Sequence, residues 1–255
     1  MPYDYKTADV STDDTGVCTI RLHSRGGSLV WGGLPHLELA DLFTRLGGDR
    51  DIRVVVLTGT GNSFIALPPG DNGMLARGAL SARGWADLAI EGERLIQGLL
   101  AIPVPTIAAV NGPAVAHAEI AVLCDVVLAT PETYFADEAH VPLGLVPGDG
   151  VHVVWPALLG PNRGRYFLLT GQRIPAAEAL ALGVIGEVVP ADALLARTYE
   201  IAADLARRDP AVMRATRSVL TRALRRAMTE DLAAGLAAEA FGAMAGRDRH
   251  HSPAR

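Results

Sequence analysis

Short apolar runs that alternate with helical segments constrain the fold of this chain more than any other feature. Residues 52–57 read IRVVVL and residues 106–110 read TIAAV. Neither run shows the regular polar alternation of a strand with one solvated face. Near-continuous apolar strands separated by helices are typical of a parallel sheet covered on both faces. We therefore expect an α/β fold with a mostly parallel sheet.

Helical spacing of apolar residues predicts the remaining elements. Helices are expected at residues 34–46, 85–100, 119–124, 153–159, 162–169 and 176–182, and further strands at 17–22, 126–129 and 184–189. Residues 191–245 are helical in pattern throughout, with a break near Pro210. The sequence thus predicts an α/β core over residues 1–190, a helical region over 191–246 and a disordered tail over 247–255.

Composition favours a soluble, cytoplasmic protein. The 255 residues are 49% hydrophobic and 20% charged, and the net charge of −5 gives no reason to expect nucleic acid or an anionic membrane as a partner. The apolar runs are too short for a membrane span, and the first residues lack the pattern of a signal peptide. Cys18 and Cys124 have no CxxC neighbour. They predict buried reduced thiols, not a zinc site or a disulfide framework.

One carboxylate stands out in residues 140–155, which read HVPLGLVPGDGVHVVW. Asp149 lies between two glycines in an apolar stretch, with His140 and His152 on either side. Pro-Gly-Asp-Gly is strong turn chemistry, so a turn aspartate is one interpretation. A catalytic carboxylate partnered by a histidine is the other. Taken alone, residues 140–155 favour the interpretation of Asp149 as a turn residue.

Four longer stretches occur in an order that resembles the crotonase (enoyl-CoA hydratase/isomerase) superfamily. They read VVVLTGTGNSF, PTIAAVNGPAVAHAEIAVLCDVVLAT, FADEAHVPLGLVPGDG and LLTGQRIPAAEALALGVIGEVVP. The resemblance covers nearly the whole chain. It implies a crotonase-like spiral of ββα turns with a helical C-terminal region that mediates trimer formation. A homotrimer or a dimer of trimers is therefore the expected assembly.

The chain departs from this family at the positions that carry its chemistry. His140 replaces the catalytic glutamate of the PExxLG motif, and His117 replaces the last glycine of the usual glycine run. Asp149 replaces the small residue of the PGxGG turn, whereas Glu119 stands where the family's other catalytic glutamate is expected. The acid–base pair of a hydratase is at best half present.

These departures resemble the cyclic β-diketone hydrolases related to 6-oxocamphor hydrolase, which cleave a carbon–carbon bond without coenzyme A. The matching stretches read SLVW with His36 five residues on, AHAEI, HVPLGLVPGDGVHVVWP and NRGRYFLLTGQ. The resemblance implies that a dyad of His140 and Asp149 activates water. A covalent role for Asp149 is the less favoured variant. His117 is expected to hold a carbonyl or the enolate leaving group.

Substrate contacts are predicted on the same basis. Trp31 is expected to donate its indole N–H to a carbonyl or to form a pocket wall, and His36 to add a second donor. Glu119 is either an acid–base group or a helix-face glutamate bonded to backbone N–H groups. An apolar pocket is predicted from Leu67, Pro68, Pro69, Leu80, Trp85 and Ile90. No cofactor and no metal are expected.

Two other functions remain open at this point. One is a CoA-dependent hydratase or isomerase, against which the altered FIALPPG and AVAHAEI stretches argue. The other is a non-catalytic crotonase-fold binding protein that uses the arginines of RATRSVLTRALRRAM to bind RNA or a partner. That helix has no interleaved aromatic residues, so a solvated helix face is the simpler interpretation.

Overall fold

The computed structural model describes residues 3–69 and 80–251, with side chains up to residue 245. Within these residues a six-stranded sheet contains, in order from one edge to the other, β1 (Ala8–Thr12), β2 (Val17–Leu22), β4 (Val54–Gly59), β6 (Thr106–Val110), β7 (Val126–Ala129) and β10 (Glu187–Val188). β1 is antiparallel to β2, and all other neighbours in the sheet are parallel. The expected parallel sheet is therefore present, and β1 adds an antiparallel edge.

Two small two-stranded sheets accompany this main sheet. The first pairs β3 (Leu29–Val30) with β5 (Ile65–Ala66), and the second pairs β8 (Tyr134–Phe135) with β9 (Ile174–Pro175). Isolated bridges join Ala114 to Ile65 and to Phe135. The segment after β6 is thus held between the two small sheets.

Helices cover the sheet and dominate the last third of the chain. They are α1 (Gly33–Gly48), α2 (Ala82–Ala101), α3 (Glu119–Val122), α4 (Val151–Leu159), α5 (Pro161–Thr170), α6 (Ala176–Ala181), α7 (Leu194–Ala206), α8 (Pro210–Leu220) and α9 (Arg222–His251). The break near Pro210 is confirmed: Asp209 caps α8 by accepting hydrogen bonds from the backbone N–H groups of Ala211 and Val212.

Several predicted elements differ in detail. Only Glu187–Val188 of the predicted strand at 184–189 pairs with the sheet, because the N–H groups of Val184 and Ile185 bond to Ala179 at the end of α6. In α1, Leu34 and Leu37 are exposed, whereas Leu39, Leu42, Phe43 and Leu46 form the buried face. α9 continues to His251, into the segment predicted as tail.

A large apolar core lies between the sheet and helices α1, α2, α4, α5 and α9. A second cluster packs α7 against the other face of β4, β6 and β7. Both faces of the parallel strands are therefore covered, as their continuous apolar sequences require. No helix within the described part of the chain is long and apolar enough to cross a membrane.

Candidate active site

A pocket opens between α2, the segments that follow β6 and β8, and α9. Among the residues that the structure describes, its lining combines aromatic and aliphatic side chains with five ionisable groups. The lining residues are Trp31, His36, Trp85, Leu88, Ala89, His117, Ala139, His140, Asp149, Leu236 and Glu239. A mostly apolar concavity with a few convergent polar groups is typical of a small-molecule site.

Asp149 lies at the centre of the polar groups. Its Oδ2 atom is 3.3 Å from Nε2 of His117 and also 3.3 Å from Nε2 of His140. Its Oδ1 atom is buried and has no hydrogen-bond partner among the described residues. The structure thus brings together the three residues that the sequence predicted as catalytic. Asp149 bridges both histidines through one oxygen.

Each histidine has a second carboxylate on its far nitrogen. Nδ1 of His117 is 2.6 Å from Oε1 of Glu119, and Nδ1 of His140 is 2.6 Å from Oδ1 of Asp137. All four side chains are buried. The result is a continuous buried chain in the order Glu119, His117, Asp149, His140, Asp137.

Local backbone geometry explains how the central residues reach these places. Gly150, with φ of 103°, follows Asp149 and is the N-cap residue of α4, so the carboxylate lies in the turn that precedes a helix. His117 has a φ of 46°, a conformation that side chains with a Cβ seldom adopt. The position where the resembled family carries glycine therefore keeps a glycine-like backbone here.

Glu239 was not predicted from the sequence. It projects from α9, is buried, and places Oε2 3.9 Å from Nε2 of His140. One signal could have revealed it: Met228, Leu232, Leu236 and Glu239 recur at helical spacing, so a glutamate occupies an apolar-face position. A buried carboxylate at such a position calls for a functional or paired role.

The two histidines differ from free imidazole in their affinity for protons. Burial disfavours the imidazolium of His140, but the charges of Asp149 and Asp137 outweigh burial and raise its pKa well above the usual value. For His117, Glu119 and Asp149 likewise outweigh burial and raise the pKa. Burial favours protonated Asp149, but His140 and His117 reverse this effect and lower its pKa, so Asp149 is a carboxylate.

The pKa values of the two glutamates are raised, in contrast to that of Asp149. Burial raises the pKa of Glu239 to about 7, against the opposing charge of His140. Burial also raises the pKa of Glu119, although His117 opposes it. A carboxyl group that titrates near neutrality beside a histidine is suited to proton transfer.

Trp31 and His36 form the wall beside His117. The Trp31 ring lies 3.9 Å from that of His117, centroid to centroid, at an interplanar angle of 34°. The Trp31 indole N–H makes no hydrogen bond to any described residue, so it is available to a carbonyl.

His36 departs from its predicted role as a second donor. Its Nδ1 atom is 3.1 Å from Oε2 of Glu91, and burial, aided by the charge of His117, lowers its pKa to about 3. His36 is therefore neutral. Because a carboxylate accepts at Nδ1, its Nε2 is an acceptor and not a donor.

The remaining substrate residues are only partly as expected. Trp85 lines the pocket, but Leu67 does not; it packs against the apolar core instead. Ile90 is exposed because it lies on the outer face of α2, and Leu88 and Ala89 take the wall position. Neither Pro68, Pro69 nor Leu80 is among the lining residues.

Glu119 was predicted to contact the substrate, but it does not line the pocket. It lies fully buried behind His117. His117, Glu119 and Asp149 are close enough together to suggest a metal site. However, the two carboxylates lie at opposite ring nitrogens of His117. A metal ion would have to displace one of these contacts, so the set suits hydrogen bonding better than metal binding.

Comparison with known proteins gives two kinds of relative. Residues 13–246 match the family described as enoyl-CoA hydratase/isomerase. The crotonyl-CoA hydratase of Syntrophomonas wolfei is 30% identical over 207 residues, which cover 81% of this chain and 77% of that protein.

The similar solved structures include both a β-diketone hydrolase and enoyl-CoA hydratases. A β-diketone hydrolase from the cyanobacterium Anabaena sp. PCC 7120, bound to (S)-3-oxocyclohexyl acetic acid, superimposes with a TM-score of 0.89 at 40% identity, covering 95% of this chain and 96% of that one. An enoyl-CoA hydratase from Mycobacterium avium subsp. paratuberculosis K-10 gives a TM-score of 0.81 at 25% identity, with 99% and 100% covered.

Proposed function

This chain belongs to the enoyl-CoA hydratase/isomerase (crotonase) superfamily, and within that family we propose that it hydrolyses a carbon–carbon bond of cyclic β-diketones without coenzyme A. The observation that carries the proposal is the contact of two imidazole Nε2 atoms with one oxygen of Asp149, each at 3.3 Å. The similarity to the Anabaena β-diketone hydrolase supports it.

The reaction consumes one water and transfers no electrons to an acceptor. His140 removes a proton from water through Nε2, and the hydroxide oxygen attacks one carbonyl carbon of the diketone. The oxyanion of the tetrahedral intermediate then collapses, and the bond between that carbon and the central carbon breaks. The electron pair of this bond becomes the enolate of the second carbonyl.

Binding and proton return use the other groups of the pocket. The Trp31 N–H and the protonated Nε2 of His117 are the donors available to the two carbonyl oxygens. A proton from the imidazolium of His140, or from Glu239 beside it, completes the product at the enolate carbon. The product is a keto acid that contains one more water than the substrate.

A CoA-dependent hydratase is the alternative, and the hydratases among the relatives favour it. Such an enzyme uses a pair of glutamates as acid and base to add water across a double bond. Here the corresponding chemistry would fall to histidines that share an aspartate. The two proposals therefore predict different substrates for the same residues.

The test measures acid release from cyclic 1,3-diketones that carry two substituents on the carbon between the carbonyls. Such diketones have no proton to lose at that carbon, so their carbonyl carbons remain electrophilic. Wild type is compared with His140→Ala and Asp149→Asn, in the absence of coenzyme A, and crotonyl-CoA is assayed in parallel. We expect diketone turnover that falls ~10²- to 10⁴-fold in both variants. Hydration of crotonyl-CoA with no diketone turnover would refute the proposal.

A further inference from the structure

We propose that Asp137 is a positioning residue that fixes the orientation and tautomer of His140. Asp149 contacts Nε2 of His140 at 3.3 Å, whereas Asp137 contacts Nδ1, the other ring nitrogen, at 2.6 Å. The inference rests on the proposed function only where His140 acts as a base. The effect of Asp137 on the orientation and tautomer of the imidazole ring does not depend on which reaction the protein catalyses.

The backbone around Asp137 is held in place. The N–H of Ala136 donates to the carbonyl of Ala114 at 3.0 Å, and the N–H of Glu138 donates to the carbonyl of Val115 at 3.0 Å. Asp137 lies between these two bonds. It is therefore anchored to the same segment that leads into His117, and its side chain is only 3% exposed.

The backbone of His140 is held as well. Its carbonyl accepts hydrogen bonds from the N–H groups of Leu143 and Leu145, at 2.8 and 2.9 Å. These bonds close the 3₁₀ turn Val141–Leu143 that follows His140. With both backbones fixed, the remaining freedom is the rotation of the imidazole ring, and the contact between Nδ1 and Asp137 removes it.

This contact also decides where the ring carries its proton. A carboxylate only accepts hydrogen bonds, so Nδ1 of His140 must keep a proton for the contact to persist. The contact of Nδ1 with Asp137, at 2.6 Å, is much shorter than that of Nε2 with Asp149, at 3.3 Å, so the neutral ring keeps its proton on Nδ1. The free lone pair is then on Nε2, which faces Asp149 and Glu239. Proton exchange with water is thereby confined to the pocket side of the ring.

Asp137 contributes charge in addition to orientation. Within residues 3–69 and 80–245, the ionisable groups that face His140 are Asp137, Asp149, Glu239 and His117. Burial opposes the imidazolium, whereas Asp149 and then Asp137 favour it. Replacing Asp137 by a neutral residue should make His140 a weaker base that titrates at lower pH.

Glu119 and His117 provide an internal comparison. Their contact has the same length, 2.6 Å, and also involves Nδ1. Because each imidazole has its own outer carboxylate, Asp137→Asn should change His140 and leave the tautomer of His117 unaltered. Glu119→Gln should do the reverse.

The experiment is nuclear magnetic resonance of the full-length protein with isotopically labelled histidine nitrogens, recorded over a pH titration. In wild type, the neutral form of His140 should carry its proton on Nδ1. In Asp137→Asn, the amide can donate to Nδ1, so the proton should move to Nε2 and the titration should shift to lower pH. Glu138→Gln, which changes the neighbouring residue bonded to Arg173, is the matched control and should leave His140 unchanged.

Activity provides the second readout. With a diketone as substrate, Asp137→Asn should lower kcat by ~10²-fold or more, change KM little, and move the pH profile with the His140 titration. An Nε2-protonated tautomer in wild type, or an Asp137→Asn protein with the wild-type titration of His140, would overturn the proposal. The wild-type spectrum decides this even if the variant does not fold or the enzyme has a different substrate.

Discussion

His117 holds a backbone conformation that costs an L-residue roughly 1–2 kcal/mol relative to glycine. Its φ is 46°, and its side chain is buried between Glu119, Asp149 and the ring of Trp31. The chain keeps this strained position for an imidazole, although glycine would fit the backbone better. Strain retained at a position with several polar partners is typical of functional sites.

This strain predicts an unusual order of stability at position 117. His117→Gly should be more stable than His117→Ala by about 1 kcal/mol in the free energy of unfolding, because glycine adopts positive φ freely. The glycine variant should therefore unfold at a higher denaturant concentration. Equilibrium denaturation of the two variants measures this difference. Both should lose diketone hydrolysis ~10²- to 10³-fold. An alanine variant as stable as the glycine variant would contradict the strain.

At the scale of elements, α9 completes the site by packing directly on the turn that carries Asp149. Gly148 and Gly235 meet without side chains: a Cβ on either glycine would overlap the carbonyl oxygen of the other. Glu239 lies one helical turn beyond Gly235, on the same face of α9. This close approach therefore sets the distance between Glu239 and His140.

Gly235→Ala tests that contact. In most helix interiors this change stabilises a protein by up to ~1 kcal/mol, but here the new Cβ would also meet the ring of His152. We expect a loss of several kcal/mol in the free energy of unfolding, by order of magnitude, together with a fall in kcat as α9 moves outward. Denaturation and kinetics check both.

Gly47→Ala in α1 is the matched control, since its nearest neighbour would be the Ala101 carbonyl at 3.9 Å. It should be neutral or slightly stabilising. If Gly235→Ala behaves like Gly47→Ala, the close packing of α9 does not position the site.

Elements and site residues differed in how far the sequence predicted them. The parallel strands and most helices were evident because apolar periodicity reports burial directly. His140, Asp149 and His117 were evident because they replace residues of familiar motifs. Asp137, Glu91 and Glu239 were missed because their roles arise from tertiary contacts. Leu67 and Ile90 were misplaced because apolarity alone does not specify a wall.

At the scale of the whole molecule, the site is a buried cluster whose charge must be balanced. In the part of the chain that the structure describes, the imidazoles of His117 and His140 are faced by four carboxyl groups, those of Glu119, Asp137, Asp149 and Glu239. Raised pKa values of both histidines and of Glu119 and Glu239 bring the cluster closer to neutrality. Stability and activity should therefore respond to pH in opposite ways.

Glu239 predicts one part of the pH dependence of stability. Its pKa rises from the ordinary 4.5 to about 7, so the folded state binds this proton more tightly than the unfolded state. This contribution is complete below pH 4.5 and is lost as pH rises through about 7. Its size is about 3 kcal/mol at most. Glu239→Gln should flatten the free energy of unfolding over this window.

Chemical denaturation at several pH values measures the effect. Glu230→Gln, an exposed substitution on the same helix, is the control and should retain the wild-type slope. An unchanged slope in Glu239→Gln would show that this carboxyl is not the group that titrates.

The raised pKa of His140 predicts that catalysis depends on pH in the opposite direction. Its raised pKa means that its stabilising contribution is complete below the unfolded value of 6.5 and is lost as pH rises through the folded value. The neutral base forms over the same rise. Diketone turnover should therefore increase above the usual histidine range, and Asp137→Asn should move this increase to lower pH.

Hydrolysis of the carbon–carbon bond transfers the oxygen of water into the product, and the fate of this oxygen can be followed directly. A doubly substituted cyclic 1,3-diketone is incubated with the enzyme in heavy-oxygen water without coenzyme A, and the product is examined by mass spectrometry after a short time. We predict an open-chain keto acid that has gained one water, with the heavy oxygen in its carboxylate, and none from His140→Ala. An unchanged diketone, together with a folded protein that hydrates crotonyl-CoA, would contradict the proposed hydrolysis of a carbon–carbon bond.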